Sequence, residues 1–163
     1  AAELFDDDLA NQDLFGARTK LSLNREGVYY RSALPNGGLT APGRILWYVS
    51  DDKKYQGSKC IRACSFLDDV VVGRPKELFR RFDRLGVYEW RHLIELAKDD
   101  IDTNLMAVRY SDTQLLANPI RWDTFQAVLQ EAGVRTQLQS PQLIPPQVFA
   151  KLYRQGMGYK ENL

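Results

Sequence analysis

The sequence predicts an α+β fold, a mixed β-sheet or barrel of about six strands with several short helices around it. Three observations lead there. Two apolar runs, Ile45-Leu46-Trp47-Tyr48-Val49 and residues 61–72, flank a polar turn, Asp51-Asp52-Lys53-Lys54, as two buried strands would. Shorter alternating segments lie before and after them. Elsewhere, apolar residues recur at helical spacing behind Pro and Gly punctuation.

The elements follow in order. Residues 3–15 read as a helix, with Leu4, Phe5, Leu9 and Leu14 on one side and Gly16 ending it. Residues 19–23 and 28–32 alternate as strands, joined by the turn Asn24-Arg25-Glu26-Gly27. Pro35-Asn36-Gly37-Gly38 is a loop whose glycines allow positive φ. Strands follow at 44–50 and 59–72. The second is long for one strand, so a bend or bulge is expected in it.

Pro75 suits a helix's first turn, and residues 76–85 carry Leu78, Phe82 and Leu85 at helical spacing. Gly86 ends that helix. A second short helix spans 90–98. Residues 103–111 alternate as a strand, Asp112-Thr113 turns the chain, and a short strand from Leu115 is stopped by Pro119. Two helices close the chain, one from Asp123 to Ala132 and one opened by Pro145-Pro146. The tail from Gly156 is polar and is expected to fray.

A chain of 163 residues suffices for one domain with a sizeable core. Its 44% hydrophobic and 26% charged residues exclude the disordered class. No apolar run approaches the roughly 20 residues a membrane helix needs, so no membrane partner is expected. The start, Ala1-Ala2-Glu3-Leu4-Phe5-Asp6-Asp7-Asp8, is acidic and lacks a signal-peptide core. The missing initiator Met suggests a processed or excised chain, which leaves room for a larger parent.

Cys60 and Cys64 are the only cysteines. Four residues along a strand is about 13 Å, beyond a disulfide's reach. Both read as reduced, packed cysteines of a cytoplasmic protein. With one histidine, His92, no metal set is expected, and no cofactor motif is found.

Net charge is +1, which by itself favours no partner. Its distribution says more. Residues 3–13 hold five acids and no base, whereas residues 74–92 hold six bases and three acids. Phe79, Phe82, Tyr88 and Trp90 are interleaved with those cations. Cations hold phosphates and flat rings stack on bases, so this composition suits a nucleic-acid surface. The plainer reading is an amphipathic helix with arginines on its solvated side.

The run Pro42-Gly43-Arg44-Ile45-Leu46-Trp47-Tyr48-Val49-Ser50, then residues 61–72, resembles the central strands of PUA-like barrels, in particular the ASCH and EVE branches. Ser140-Pro141-Gln142-Leu143-Ile144 and the helix over 146–154 resemble that group's closing segment. Leu67-Asp68-Asp69-Val70 and Gly86-Val87-Tyr88-Glu89-Trp90-Arg91 resemble a bacterial subgroup in which such a domain follows a GNAT acetyltransferase-like domain. The resemblance covers about residues 27–155. It divides the chain into an N-terminal helix or linker (1–26), a PUA-like domain (27–155) and a tail (156–163). It implies a PUA-like mixed barrel of about six strands.

The ASCH signature G-x-K-x-x-E-x-R is absent in order. Gly73-Arg74-Pro75-Lys76 followed by Arg80-Arg81 is the nearest string. The amidohydrolase activity of some ASCH proteins is therefore not supported. No acetyl-CoA loop is present either.

By analogy with such readers, an extruded base would be held in a pocket of rings and hydrogen-bonding groups. The candidates are Tyr29, Trp47, Tyr48, Ser50, Tyr88 and Trp90. Alternation forbids Tyr29 and Tyr30, or Trp47 and Tyr48, from sharing a face, so one of each pair is expected in the core. The backbone-binding candidates are Arg31, Arg44, Lys76, Arg80, Arg81, Arg84 and Arg91. Arg80, Arg84 and Arg91 cannot share one helix, because Gly86 intervenes. His92 reads as a capping or surface histidine, and Ser111-Asp112-Thr113 as a capped turn. Asp68-Asp69 and residues 99–102 read as acidic turns.

The expected function is a nucleic-acid recognition module, for RNA or a modified base, of a cytoplasmic bacterial regulator or modifying enzyme. No reaction is expected on this chain. Its partner would be nucleic acid, alongside an upstream GNAT-like domain or a partner protein. Two other readings stay open. One is a protein-interaction or small-ligand-sensing domain; the other is a modified-nucleoside amidohydrolase.

Overall fold

A computed structural model describes residues 26–50, 59–85, 89–135 and 140–159. The elements are β1 (Glu26–Ser32), β2 (Gly43–Val49), β3 (Cys60–Gly73), α1 (Pro75–Phe82), α2 (Trp90–Leu96), β4 (Leu105–Arg121), α3 (Trp122–Glu131) and α4 (Pro146–Met157). The strands form one antiparallel sheet in the order β1-β4-β3-β2. The helix expected over 3–15, the strand over 19–23 and the turn at 51–54 fall outside the described residues.

Among the described residues the sheet has four strands, all antiparallel, and not the six of a mixed barrel. One expected strand lies outside the described residues, and two others are a single strand. Asp112 does not turn the chain. It adopts φ 47° inside β4, where three residues of β4 advance against two of β3. Asp tolerates this left-handed conformation, and the result is a bulge that kinks the strand without ending it. Pro119 does not stop the strand either. It lies where β4 advances five residues, from Leu115 to Ile120, while β3 advances two, from Ala63 to Ile61. In that gap its missing N–H costs no ladder bond. The bulging expected in the strand over 59–72 is present, with three register shifts along β3.

The long β3–β4 ribbon carries the shorter strands at opposite ends. β2 pairs with residues 60–67 of β3, and β1 pairs with residues 105–111 of β4. The two edge strands nevertheless meet through side chains, since the Tyr29 and Trp47 rings are 5.9 Å apart, edge to face. The sheet is therefore curled, with an inner face closed by rings and not by a ladder.

The core follows the strand alternation. Val28 and Tyr30 point outward from β1 and pack with Leu78, Phe82, Leu93 and Ala97 of the α1–α2 pair. At the other end, Ile61, Leu116 and Ile120 pack under Phe125, Leu129, Val148 and Leu152 of α3 and α4. Inside the curl lie Trp47, Val49, Ala63 and Tyr110, continued by Leu67, Met106 and Val108. The two helix pairs thus cover two separate ends of the sheet's outer face.

Local sequence explains the helices. Pro75 occupies the first turn of α1, and the Glu77 carboxylate accepts the Arg74 amide at 3.4 Å. α4 begins at Pro146 and runs past the expected fraying point to Met157, capped by Gly158 at φ 74°. Gly156 is buried, because a side chain there would meet Leu116.

Two outcomes follow from this packing. A Cβ at Gly156 would lie 2.7 Å from Leu116 Cδ1 and 3.1 Å from its Cγ. Gly156→Ala should therefore destabilise the fold by about 1–3 kcal/mol in chemical denaturation, opposite in sign to the usual gain of alanine in a helix. Burial raises the phenol pKa of Tyr110 to about 12, and burial with the Asp83 charge raises that of Tyr30 to about 12. The unfolded chain loses these protons near pH 10, earlier than the folded one. Stability from both groups is then whole below pH 10 and falls as pH rises towards 12. In a tyrosinate absorbance titration of the folded chain, Tyr30 and Tyr110 should ionise well above pH 10.

Candidate nucleic-acid interface

α1 presents its apolar residues Pro75, Leu78 and Phe82 to the sheet. Spacing of four then places Lys76 and Arg80 on one outward stripe. Arg84, in the turn just after the helix, extends it. All three are exposed, and none has an ion pair among the described residues. At the side of this stripe, the Trp90 ring packs edge-on against Phe79 at 5.6 Å and stays 39% exposed. Phe79 lies three residues from Lys76, so the ring and the cations adjoin.

The remaining cations are engaged. Arg81 Nη2 pairs with Asp69 Oδ2 at 3.1 Å, and its guanidinium lies 5.2 Å from the Phe82 ring centre. Arg91 pairs with Glu89 at 2.9 Å. Arg31 Nη1 donates to the Pro35 carbonyl at 2.7 Å, and partial burial lowers its pKa from the ordinary value. Arg44 has no ion pair among the described residues. Its guanidinium lies 3.8 Å over the Phe66 ring.

The aromatic candidates divide. Trp47 is 6% exposed, and its Nε1 donates to the buried Ser65 hydroxyl at 2.8 Å. That hydroxyl is 2.8 Å from Thr113 Oγ1. Trp47 is thus a core ring with its one polar atom satisfied. Tyr29 is half-buried against it, while Tyr30 is core, as alternation requires. Tyr48 packs on Trp122 at 5.6 Å beneath α3 and α4. Ser50 is exposed just past β2. Tyr88 lies outside the described residues. Of the described pocket candidates, Tyr29 and Trp47 meet on the inner face and Tyr48 lies with Trp122 on the outer one, whereas Trp90 meets Phe79 of α1.

The groups weighed for acid–base chemistry have structural tasks. His92 Nδ1 accepts the Glu89 amide at 3.1 Å, which makes it the expected cap. Asp100 accepts the Thr103 hydroxyl at 2.8 Å and the Asp102 amide at 3.0 Å, and these bonds lower its pKa. Ser111 donates to Asp68 Oδ1 at 3.1 Å from within a strand, not a turn. Burial pushes the Cys64 thiol up, against the Arg44 charge, and a raised thiol pKa makes a poor nucleophile at neutral pH. Among the described residues no group of three His, Cys, Asp or Glu is placed to hold a metal. No helix among them is long and apolar enough to cross a membrane.

Sequence reasoning missed one feature. Phe66 is 41% exposed on β3, directly across from Arg44 on β2. Tyr153 of α4 stands beside them, its ring centre 5.9 Å from the Arg44 guanidinium. Its hydroxyl donates to Gln114 Oε1 at 2.8 Å, and its ring stacks on Phe149 at 5.9 Å and 11°. No spacing in the sequence joins residues 44, 66 and 153; the strand register and the seat of α4 do.

The fold matches that of ASCH from Zymomonas mobilis. The crystal structure of that protein aligns with a TM-score of 0.61 and 19% identity, over 78% of this chain and 80% of the other. A Tyr-to-Phe mutant of it aligns at 0.61 and 19%, over 78% and 83%. A Ser-to-Ala mutant aligns at 0.60 and 18%, over 79% and 82%. No family model and no curated protein sequence matches the chain.

The burial of Trp47 sets an expected outcome. Trp47→Ala should cost about 3–5 kcal/mol in chemical denaturation. A loss below 1 kcal/mol would remove Trp47 from the core.

Proposed function

We propose that this chain is a nucleic-acid recognition module that grips the sugar–phosphate backbone of a single strand along α1. The observation that carries the reading is the stripe of Lys76, Arg80 and Arg84, three exposed cations without ion pairs among the described residues, next to the exposed Trp90 ring. Cations without counter-ions keep their full attraction for phosphate, whereas Arg81 and Arg91 would have to break a pair first. A neighbouring ring adds stacking that is tolerant of sequence. Likeness to an ASCH protein in fold supports a PUA-like reading, in which rings and cations are recruited to hold a base.

At finer grain the ligand is RNA or a strand with a modified base. The parent is a cytoplasmic bacterial regulator or modifying enzyme, carrying a GNAT-like domain or working with a separate partner. The buried Cys60 and Cys64 side chains suit a reducing compartment.

The test is a salt series. Binding of a fluorescent single-stranded RNA should weaken as salt rises. For single strands each phosphate contact contributes about 0.7 to the slope of log K against log salt. Replacing Lys76, Arg80 and Arg84 together by Glu should lower the slope by about 2 and the affinity with it. An unchanged slope would remove α1 from the interface, and absence of binding by the native chain at low salt would overturn the reading.

A further inference from the structure

The outer face of the sheet is covered at one end by α1 and α2 and at the other by α3 and α4. Between the two pairs a strip of sheet carries Phe66, which neither core cluster claims. Phe66 is exposed, although a strand's outer face offers a ring that size ample apolar cover under a helix. The guanidinium carbon of its register partner Arg44 lies 3.8 Å from the ring centre, and Arg44 has no ion pair among the described residues. Tyr153 borders the pair, held by its bond to Gln114 and its stack on Phe149. Tyr159, also exposed, lies 6.4 Å beyond Tyr153.

We infer that Arg44, Phe66 and Tyr153 form a second contact on the same single strand, a platform that stacks a base beside a phosphate held by Arg44. This rests on the α1 reading. Arg44 is exposed, so its guanidinium can offer N–H groups to an anion while lying beside the Phe66 and Tyr153 rings, which can take a flat group next to it. A nucleotide offers both in one residue. A protein partner would require an acidic and an aromatic side chain side by side, and the neighbouring cation stripe favours the polyanion.

The platform is connected to α1 through β3. Asp69, three residues on from Phe66, holds Arg81 of α1. Three extended residues span about 10 Å. Single-strand sites on small β-domains cover about 4–16 nucleotides, ample for both contacts.

The experiment is titration of the chain with a fluorescent 12-nucleotide RNA of mixed sequence, at several salt concentrations. Phe66→Ala and Phe66→Leu should each weaken binding about 5- to 100-fold with the salt slope unchanged. Phe66→Trp should bind at least as well as the native chain. Phe66→Leu keeps apolar bulk and loses only the flat ring, so it tests stacking if the alanine variant misfolds. Native affinity in Phe66→Leu overturns the platform while leaving the α1 reading intact. A change of slope in Phe66→Leu equal to that of the α1 variant also overturns it, because stacking releases no counterion. Absence of RNA binding by the native chain overturns the α1 reading and this inference together.

Discussion

Two strands of 14 and 17 residues, paired antiparallel along most of their length, carry every other described element of this fold. β1 and β2 pair with opposite ends of that ribbon, and both helix pairs sit on its outer face. A straight ribbon this long would hold β1 and β2 apart. Register shifts at three places bend it, and the Tyr29 and Trp47 rings meet across the bend. Bulges sharpen the right-handed twist, so the curl arises from the same irregularities that break the strand pattern.

The curl divides labour between the two faces. Its inner side carries the Trp47–Ser65–Thr113 chain of hydrogen bonds, which satisfies the Trp47 indole N–H. Among the described residues, its outer side is covered where the helices land. What remains outward is a set of cations and rings, some tied to carboxylates and some not. That difference matters more than the number of arginines. An Arg bound to Asp69 or Glu89 exchanges one anion for another when it meets phosphate, and the net gain is small. Lys76, Arg80, Arg84 and Arg44 have no ion pair among the described residues to break.

Much of the fold was legible in the chain. Apolar runs at 45–49 and 61–72 marked β2 and β3, and Pro75 and Pro146 marked the openings of α1 and α4. The residues over 105–121 misled, because Asp112 and Pro119 are the residues that usually end strands. Bulges in β4 absorb both, and bulges are settled by the partner strand, which local pattern does not see. Of the candidate site, the cations around α1 were legible as a group, since six bases fall within residues 74–92. Which cations had counter-ions was not, because Asp69 is twelve residues from Arg81 and reaches it through the fold.

The sequence by itself determined the α+β class, the helix openings, the alternation that separates Tyr29 from Tyr30, and the cluster of cations over residues 74–92. These depend on periods of two and 3.6 residues, which a chain carries locally. Tertiary structure alone decided the antiparallel order β1-β4-β3-β2, the burial of Trp47, and the meeting of Arg44, Phe66 and Tyr153. Each of these depends on the pairing register of distant strands or on where a helix lands. One residue of slip would turn Phe66 to the inner face, and nothing in its neighbours along the chain fixes that register.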